Sequence, residues 1–408
     1  MLNWARQFDT FCFLDNHQYQ FGPHSQECLL AAGIRDKPGI NTAFRDLQKY
    51  IDKKKDTWLF GHMNYDLKHD PARTTSRHPD NIAFPEFFFF EPLQLIELNK
   101  IELTIESDNP RQLFDEINGI VLNDAPKETG QDIIIKNRIQ KEEYVAVINK
   151  LKDHILRGDC YEINYCQEFF ASPAVTDALQ VYKKLSQISP NPFSALYRLG
   201  DKWLICASPE RFLKREGKKI ISQPIKGTSK RAHENAKTDE KNKLGLYHSM
   251  KDRSENVMIV DLVRNDLSKV CKEGTVRVEE LFGIHSFPQV HHMISTVCGT
   301  LQENISFCDI ISATFPMGSM TGAPKKRVME LIEQYEQTKR GIFSGAVGYI
   351  SPNGDFDFNV VIRSILYNNH SEYLSFLTGS AITFQSDPEK EWEECLLKAE
   401  AMKNVFGG

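Results

Sequence analysis

Apolar residues recur at helical spacing through KEEYVAVINKLKDHILRGD, where Tyr144, Ile148, Leu151 and Ile155 share one face and Gly158 supplies a stop. Cys160 to Phe170 then reads as a strand, and a second helix is predicted from Val175 to Ser189, ended by Pro190. From Phe193 to Ile225 the pattern shortens to FSALYRL, WLICA, RFLKREG and KKIISQPI, which predicts strand, turn and strand. The charged residues from Lys230 to Lys241 predict a loop. Tyr247 to Val270 predicts one long helix with Asp252 and Glu255 on a common face. A further helix, Pro324 to Tyr335, has Val328, Leu331, Ile332 and Tyr335 as its apolar face. Asn353-Gly354 predicts a hairpin between GAVGYI and FNVVIRSI, and Asn368 to Ser371 a second turn before YLSFLTG. Strands joined by such short turns pair antiparallel. A helix from Pro388 to Val405 closes the pattern.

Before Asn123 the pattern is irregular. LQLIEL and KIELTIE alternate as strands do, Arg111 to Ile120 reads as a short helix, and Phe87 to Phe90 reads as a buried strand or an interface patch. NDAPKETGQD, Asn123 to Asp132, is the clearest linker. It divides the chain into an N-terminal part, 1–130, and a larger region, 131–408.

The chain has 408 residues, a formal charge of −5 and a pI near 6.2, so it lacks the basic footprint of a nucleic-acid binder. No apolar run has the length of a membrane span, and the first residues lack a signal-peptide pattern. Nine cysteines without a CxxC pair suit free thiols in a reducing cytoplasm.

Candidate chemistry gathers around SQPIKGTSKR, where Lys226 stands between Pro224 and Gly227. Burial or a neighbouring cation can turn such a lysine into a nucleophile, and Gly227 offers close approach to the backbone. On this decapeptide alone, a solvated lysine after a strand is the better reading. Glu210, in SPERF, stands at a turn and is suited to protonate a leaving hydroxyl, or equally to be a surface glutamate. Glu391, Glu394 and Lys398 share one helical face, with Trp392, Leu396 and Ala399 on another. With Glu255, these carboxylates offer hard oxygen ligands for Mg²⁺, or simply a solvated face. GSMTGAPK, from Gly318, combines glycines with Pro324 at a helix entry that attracts anions, or is a plain helix start. Arg363, after an apolar strand, can clamp a carboxylate or form a structural ion pair.

Taken in order, SPERF, PIKGT, ENVMIVDLVRND, VHHMIS, GSMTGAPK, FSGAVGYI, NVVIRS, GSAIT and EKEWEECLLKA resemble the chorismate-utilising enzymes over roughly residues 140 to 405. The first 130 residues resemble that family's more variable N-terminal part. The resemblance implies an α+β fold of two large antiparallel β-sheets packed as a sandwich, with helices outside and the site in a cleft. It matches Glu210 to a general acid/base and Glu255 and Glu394, with Glu391 beside them, to Mg²⁺ ligands. Thr228, Arg363, Gly379 and Lys398 match groups that hold the two chorismate carboxylates, and His292 matches a pocket histidine.

PIKGT is similar to the branch that aminates chorismate, the aminodeoxychorismate synthases, where the lysine is thought to attack ring carbon 2. Anthranilate and isochorismate synthases usually carry alanine in place of Lys226. Glu162 is a departure: isochorismate-forming members have a base lysine there and aminating members often glutamine. Phe343, where some relatives have tyrosine, is another. The expected activity is conversion of chorismate and ammonia to 4-amino-4-deoxychorismate, toward p-aminobenzoate and folate. No glutaminase pattern is present, so ammonia is expected from a separate glutamine amidotransferase subunit. Anthranilate formation, or a non-catalytic protein that binds chorismate or tryptophan, are the other readings.

Overall fold

The computed structural model describes residues 1–19, 27–39, 42–67, 76–120 and 133–407. The predicted linker, and the boundary placed within it, lie outside the described residues.

Two antiparallel sheets pack face to face. One runs, in spatial order, Leu103–Glu106, Phe87–Leu98, Cys28–Asp36, Thr10–Asp15, Phe193–Leu199, Lys202–Ser208, Ser364–Asn368, Tyr373–Ile382 and Glu162–Ala171. The other runs Leu59–Met63, Ala346–Ile350, Phe356–Asn359, Arg211–Glu216, Lys219–Gln223, Val290–Thr300 and Arg277–Ser286. Ile225–Lys230 continues beside Val290–Thr300, beyond Pro224. The N-terminal strands are built into both sheets, not appended to them. Phe87–Leu98 belongs to both: Phe87 to Phe90 pair with Leu59–Met63, and the residues after them pair with Cys28–Asp36. Phe89 and Phe90 are fully buried there.

Strand alternation explains why Thr10–Asp15 and Cys28–Asp36 are not evident in the sequence pattern. In Thr10–Asp15, Cys12 enters the core between the sheets, while Phe11 and Phe13 enter a second core under the outer helices. Tyr197 and Leu196, and Cys206 and Ile205, divide in the same way. Both faces are apolar, so these strands carry no polar alternation. The helices Lys141–Leu156, Ala178–Ile188 and Pro388–Asn404 cover the outer face.

Local chemistry sets the helix ends. Asp387 caps Pro388–Asn404 by accepting from the backbone of Glu389 and Lys390, and the proline needs no donor at that position. The helix buries Trp392, Cys395, Ala399 and Met402. Cys395 thus joins the anchoring stripe, with Leu396 partly buried against the same core. Tyr247 to Val270 is not one helix: Ser249, with ψ of 111°, ends Ala236–His248 and caps Met250–Ser268. Part of the expected Lys230–Lys241 loop is helical too, because Asn235 caps Ala236–His248 and Arg231 pairs with Asp239 at 3.0 Å.

FNVVIRSI also divides. Phe356–Asn359 belongs to one sheet and Ser364–Asn368 to the other, and Arg363 sits between them at φ 49°. A second crossing, Ser208 to Arg211, carries Glu210 between Lys202–Ser208 and Arg211–Glu216. The crossings bond each other: Val360 N donates to the Glu210 carbonyl at 3.0 Å, and Ala207 N to the Arg363 carbonyl at 3.2 Å.

Phe358 is fully buried on the face of its sheet turned away from the other sheet, with its ring near that of Phe89 and that of Phe307, the first residue of the helix Phe307–Thr314. Phe358→Ala should cost about 3–5 kcal/mol of stability. Phe384→Ala, at a ring 60% exposed, should change it by less than about 0.5 kcal/mol. Equilibrium urea unfolding of both variants checks this.

Candidate active site

Lys226 lies on Ile225–Lys230, with its side chain 9% exposed. Its Nζ donates to Glu162 Oε1 at 2.8 Å. Glu162, 1% exposed, begins the strand Glu162–Ala171 of the opposite sheet, so the pair joins the two sheets. Burial works against the Lys226 charge, but Glu162, Glu255 and Glu210 together outweigh it and hold the ammonium above its ordinary range. The resting lysine is therefore charged, not the free amine expected from burial alone. Glu162 Oε2 has no hydrogen-bond partner.

Glu210 is buried at its crossing and accepts from Ser319 Oγ at 2.7 Å. Burial pushes its carboxyl up to about 7, against the opposing pull of Ser319, Lys226 and Arg363. Near neutral pH it can both give and take a proton. Ser319 reaches it because Gly318–Met320 forms a short turn and Gly322–Ala323 then pairs with Ile163 and Glu162. The helix after GSMTGAP begins at Lys325. The motif's polar contribution here is Ser319, a residue the sequence showed but did not distinguish.

Thr228 and His292 face each other across neighbouring strands, with Thr228 Oγ1 2.9 Å from His292 Nδ1. His292 Nε2 lies 3.4 Å from Arg363 Nη2. A guanidinium only donates, so Nε2 accepts, and Nδ1 carries the proton toward Thr228. Burial and the neighbouring Arg363 keep His292 neutral. Burial lowers Arg363 to about 10, opposed by Glu210, and leaves it charged.

Gly227 has a packing part in the fold. At φ +87° its Cα faces Asp252 and Leu246, and a Cβ would come within 2.9 Å of each. Glycine here lets the helix side pack against the strand. Gly379 also permits a close approach, since a Cβ would stand 2.1 Å from the Tyr165 carbonyl oxygen. Its own carbonyl accepts from Lys398 Nζ at 2.9 Å, and Lys398 pairs with Glu394 at 2.8 Å.

Glu255, on Met250–Ser268, and Glu391 and Glu394, on Pro388–Asn404, converge on Lys251. Its Nζ lies 3.9, 3.2 and 3.9 Å from Glu255, Glu391 and Glu394 respectively. Burial pushes Glu255 up to about 7, opposed by Lys226. Glu394 is held below its ordinary value, chiefly by Lys398. As they stand, no three His, Cys, Asp or Glu side chains among the described residues are placed to hold a metal ion. The donor chemistry nevertheless fits Mg²⁺: all three ligands are hard oxygens, and buried Glu255 Oε1 and Glu391 Oε2 have no hydrogen-bond partner.

The family described as chorismate binding enzyme matches residues 13–404. This chain belongs to it. The match starts well before residue 140 and so takes in the N-terminal strands. A probable chloroplastic aminodeoxychorismate synthase from Oryza sativa subsp. japonica is 40% identical over 292 residues, 71% of this chain and 32% of that protein. An anthranilate synthase component I-like protein from Synechocystis is 33% identical over 361 residues, 86% of this chain and 73% of that protein. The chain spans about a third of the rice relative, and 56% of two bacterial aminodeoxychorismate synthase component 1 relatives. In structure it is similar to anthranilate synthase component I from Streptococcus pneumoniae, with TM-score 0.81, 23% identity and 94% of each chain covered. That likeness establishes the α+β fold. Among the described residues no helix is long and apolar enough to cross a membrane.

Glu162→Gln keeps a hydrogen-bond acceptor beside Lys226 but removes the negative charge that helps hold its proton. Acetylation of Lys226, followed by mass spectrometry across pH, should rise at lower pH in the variant than in the native chain.

Proposed function

We propose that this chain is an aminodeoxychorismate synthase component I, which replaces the 4-hydroxyl of chorismate with an amino group, toward p-aminobenzoate and folate. The observation that carries this reading is Lys226: a buried lysine in the carboxylate-lined cleft, within hydrogen-bond reach of Glu162. The rice relative's name points the same way.

Lys226 must lose a proton before it can attack, and Glu162 is placed to take it. The amine then bonds to ring carbon 2, both ring double bonds shift, and the 4-hydroxyl leaves as water after Glu210 protonates it. Ammonia adds at carbon 4, both double bonds shift back, and Lys226 departs. The sum is chorismate plus ammonia giving 4-amino-4-deoxychorismate plus water. Arg363 and Thr228, bridged by His292, would hold one substrate carboxylate, and Lys398 with the Gly379 backbone would hold the other. Glu255, Glu391 and Glu394 would hold Mg²⁺. Bound there, the ion supplies positive charge to an otherwise anionic cleft and substrate.

The component I in relatives' names supports a second subunit, here a glutamine amidotransferase that delivers ammonia. The nine unpaired, buried cysteines support a reducing, cytoplasmic setting.

Chorismate, Mg²⁺ and excess ammonium should give aminodeoxychorismate, identified by mass-detected chromatography. Lys226→Ala should abolish the product, and Glu210→Gln should slow its formation about 10²–10⁴-fold. Anthranilate, isochorismate or salicylate from the native chain would overturn the proposal. So would tight chorismate binding without turnover.

A further inference from the structure

Lys251 is not among the residues assigned to the reaction, yet its ammonium occupies the centre of the carboxylate group. It reaches Glu255 from its own helix and Glu391 and Glu394 from another, all within 4.0 Å. Its one hydrogen bond in the group goes to Glu391 Oε1 at 3.2 Å. Glu255 Oε1 and Glu391 Oε2 remain buried without a donor. One ammonium therefore balances charge here without satisfying the acceptors. A small dication, which takes several oxygen ligands at once, satisfies both requirements.

Lys251 also stands in the first turn of Met250–Ser268, directly after the Ser249 cap. A cation there opposes the helix dipole, so the helix itself gives no reason for the lysine. Its side chain is 45% exposed. The flexible stem can carry the charge into solvent, giving up its pairs with the three carboxylates.

We propose that Lys251 is a resident counter-ion which keeps Glu255, Glu391 and Glu394 together in the metal-free chain and is displaced when Mg²⁺ enters. It is a positioning residue: it preserves the ligand set, and it lowers metal affinity because each binding event must first expel it. The inference rests on the reading of these three glutamates as the Mg²⁺ site.

The test is calorimetric titration of Mg²⁺ into the substrate-free chain, with thermal melting of each variant followed alongside. Lys251→Met keeps the stem and removes the charge, and Lys251→Arg keeps a charge. Lys251→Met should bind Mg²⁺ at least about tenfold more tightly than the native chain. Without metal it should melt lower, and Mg²⁺ should raise its melting temperature further than that of the native chain. Lys251→Arg should stay near native affinity. If the native chain binds Mg²⁺ and a folded Lys251→Met binds no more tightly, the displacement role is wrong and the metal reading stands. If neither binds Mg²⁺, the metal reading fails and takes the lysine's role with it.

Discussion

Like charges confined in one cleft must be neutralised or they drive the structure apart. Glu162, Glu210, Glu255 and Glu391 are all buried within the same region. Each loses most of its hydration, and each repels the others. The cleft answers with Lys226, Lys251, Arg363 and Lys398, placed so that every carboxylate has a cation nearby. The balance is incomplete at Glu210 and Glu255, whose carboxyls are pushed up to about 7. An incomplete balance is what proton transfer and cation binding use. It also explains why Lys226 rests as an ammonium: its neighbours need its charge.

The two sheets make this concentration of charge possible. Each is covered on both faces, and polar groups are tolerated where the chain leaves one sheet for the other. Glu210 and Arg363 stand on two such crossings, and the crossings bond each other through their backbones. Lys226 and Glu162 lie on strands of opposite sheets, and their ion pair spans the gap. The site is thus rigid at its sheet-borne half. Its helix-borne half, Lys251 with Glu391 and Glu394, is held by side chains alone, which suits a place where an ion enters.

Glu210, Lys226, Arg363 and the glutamates of the last helix were all visible in the chain as ordered motifs, and so was the family. Helix starts and turns were legible too: Pro388 opens a helix and Asn353-Gly354 turns a hairpin, because those local preferences act within a few residues. Burial on two faces hid Thr10–Asp15 and Cys28–Asp36, since a strand with no solvent face shows no period. Ser249 was read as part of a continuous helix because nothing apolar marks a cap inside a charged run.

Local pattern therefore determined which residue types were available and which segments were helix or hairpin. Only the tertiary structure decided what those residues meet. Glu162 and Lys226 are far apart in the chain, and no spacing rule announces a 2.8 Å contact between them. Gly227 accommodates a packed helix, and Ser319 reaches Glu210 because a short turn and a two-residue strand bring it there. Lys251 lies four residues before Glu255, a spacing that predicts an ordinary helical pair, and it became the centre of three carboxylates only when the last helix packed alongside. Sequence encodes short-range geometry directly. Electrostatic neighbourhoods depend on long-range packing, and so they appear only in the folded chain.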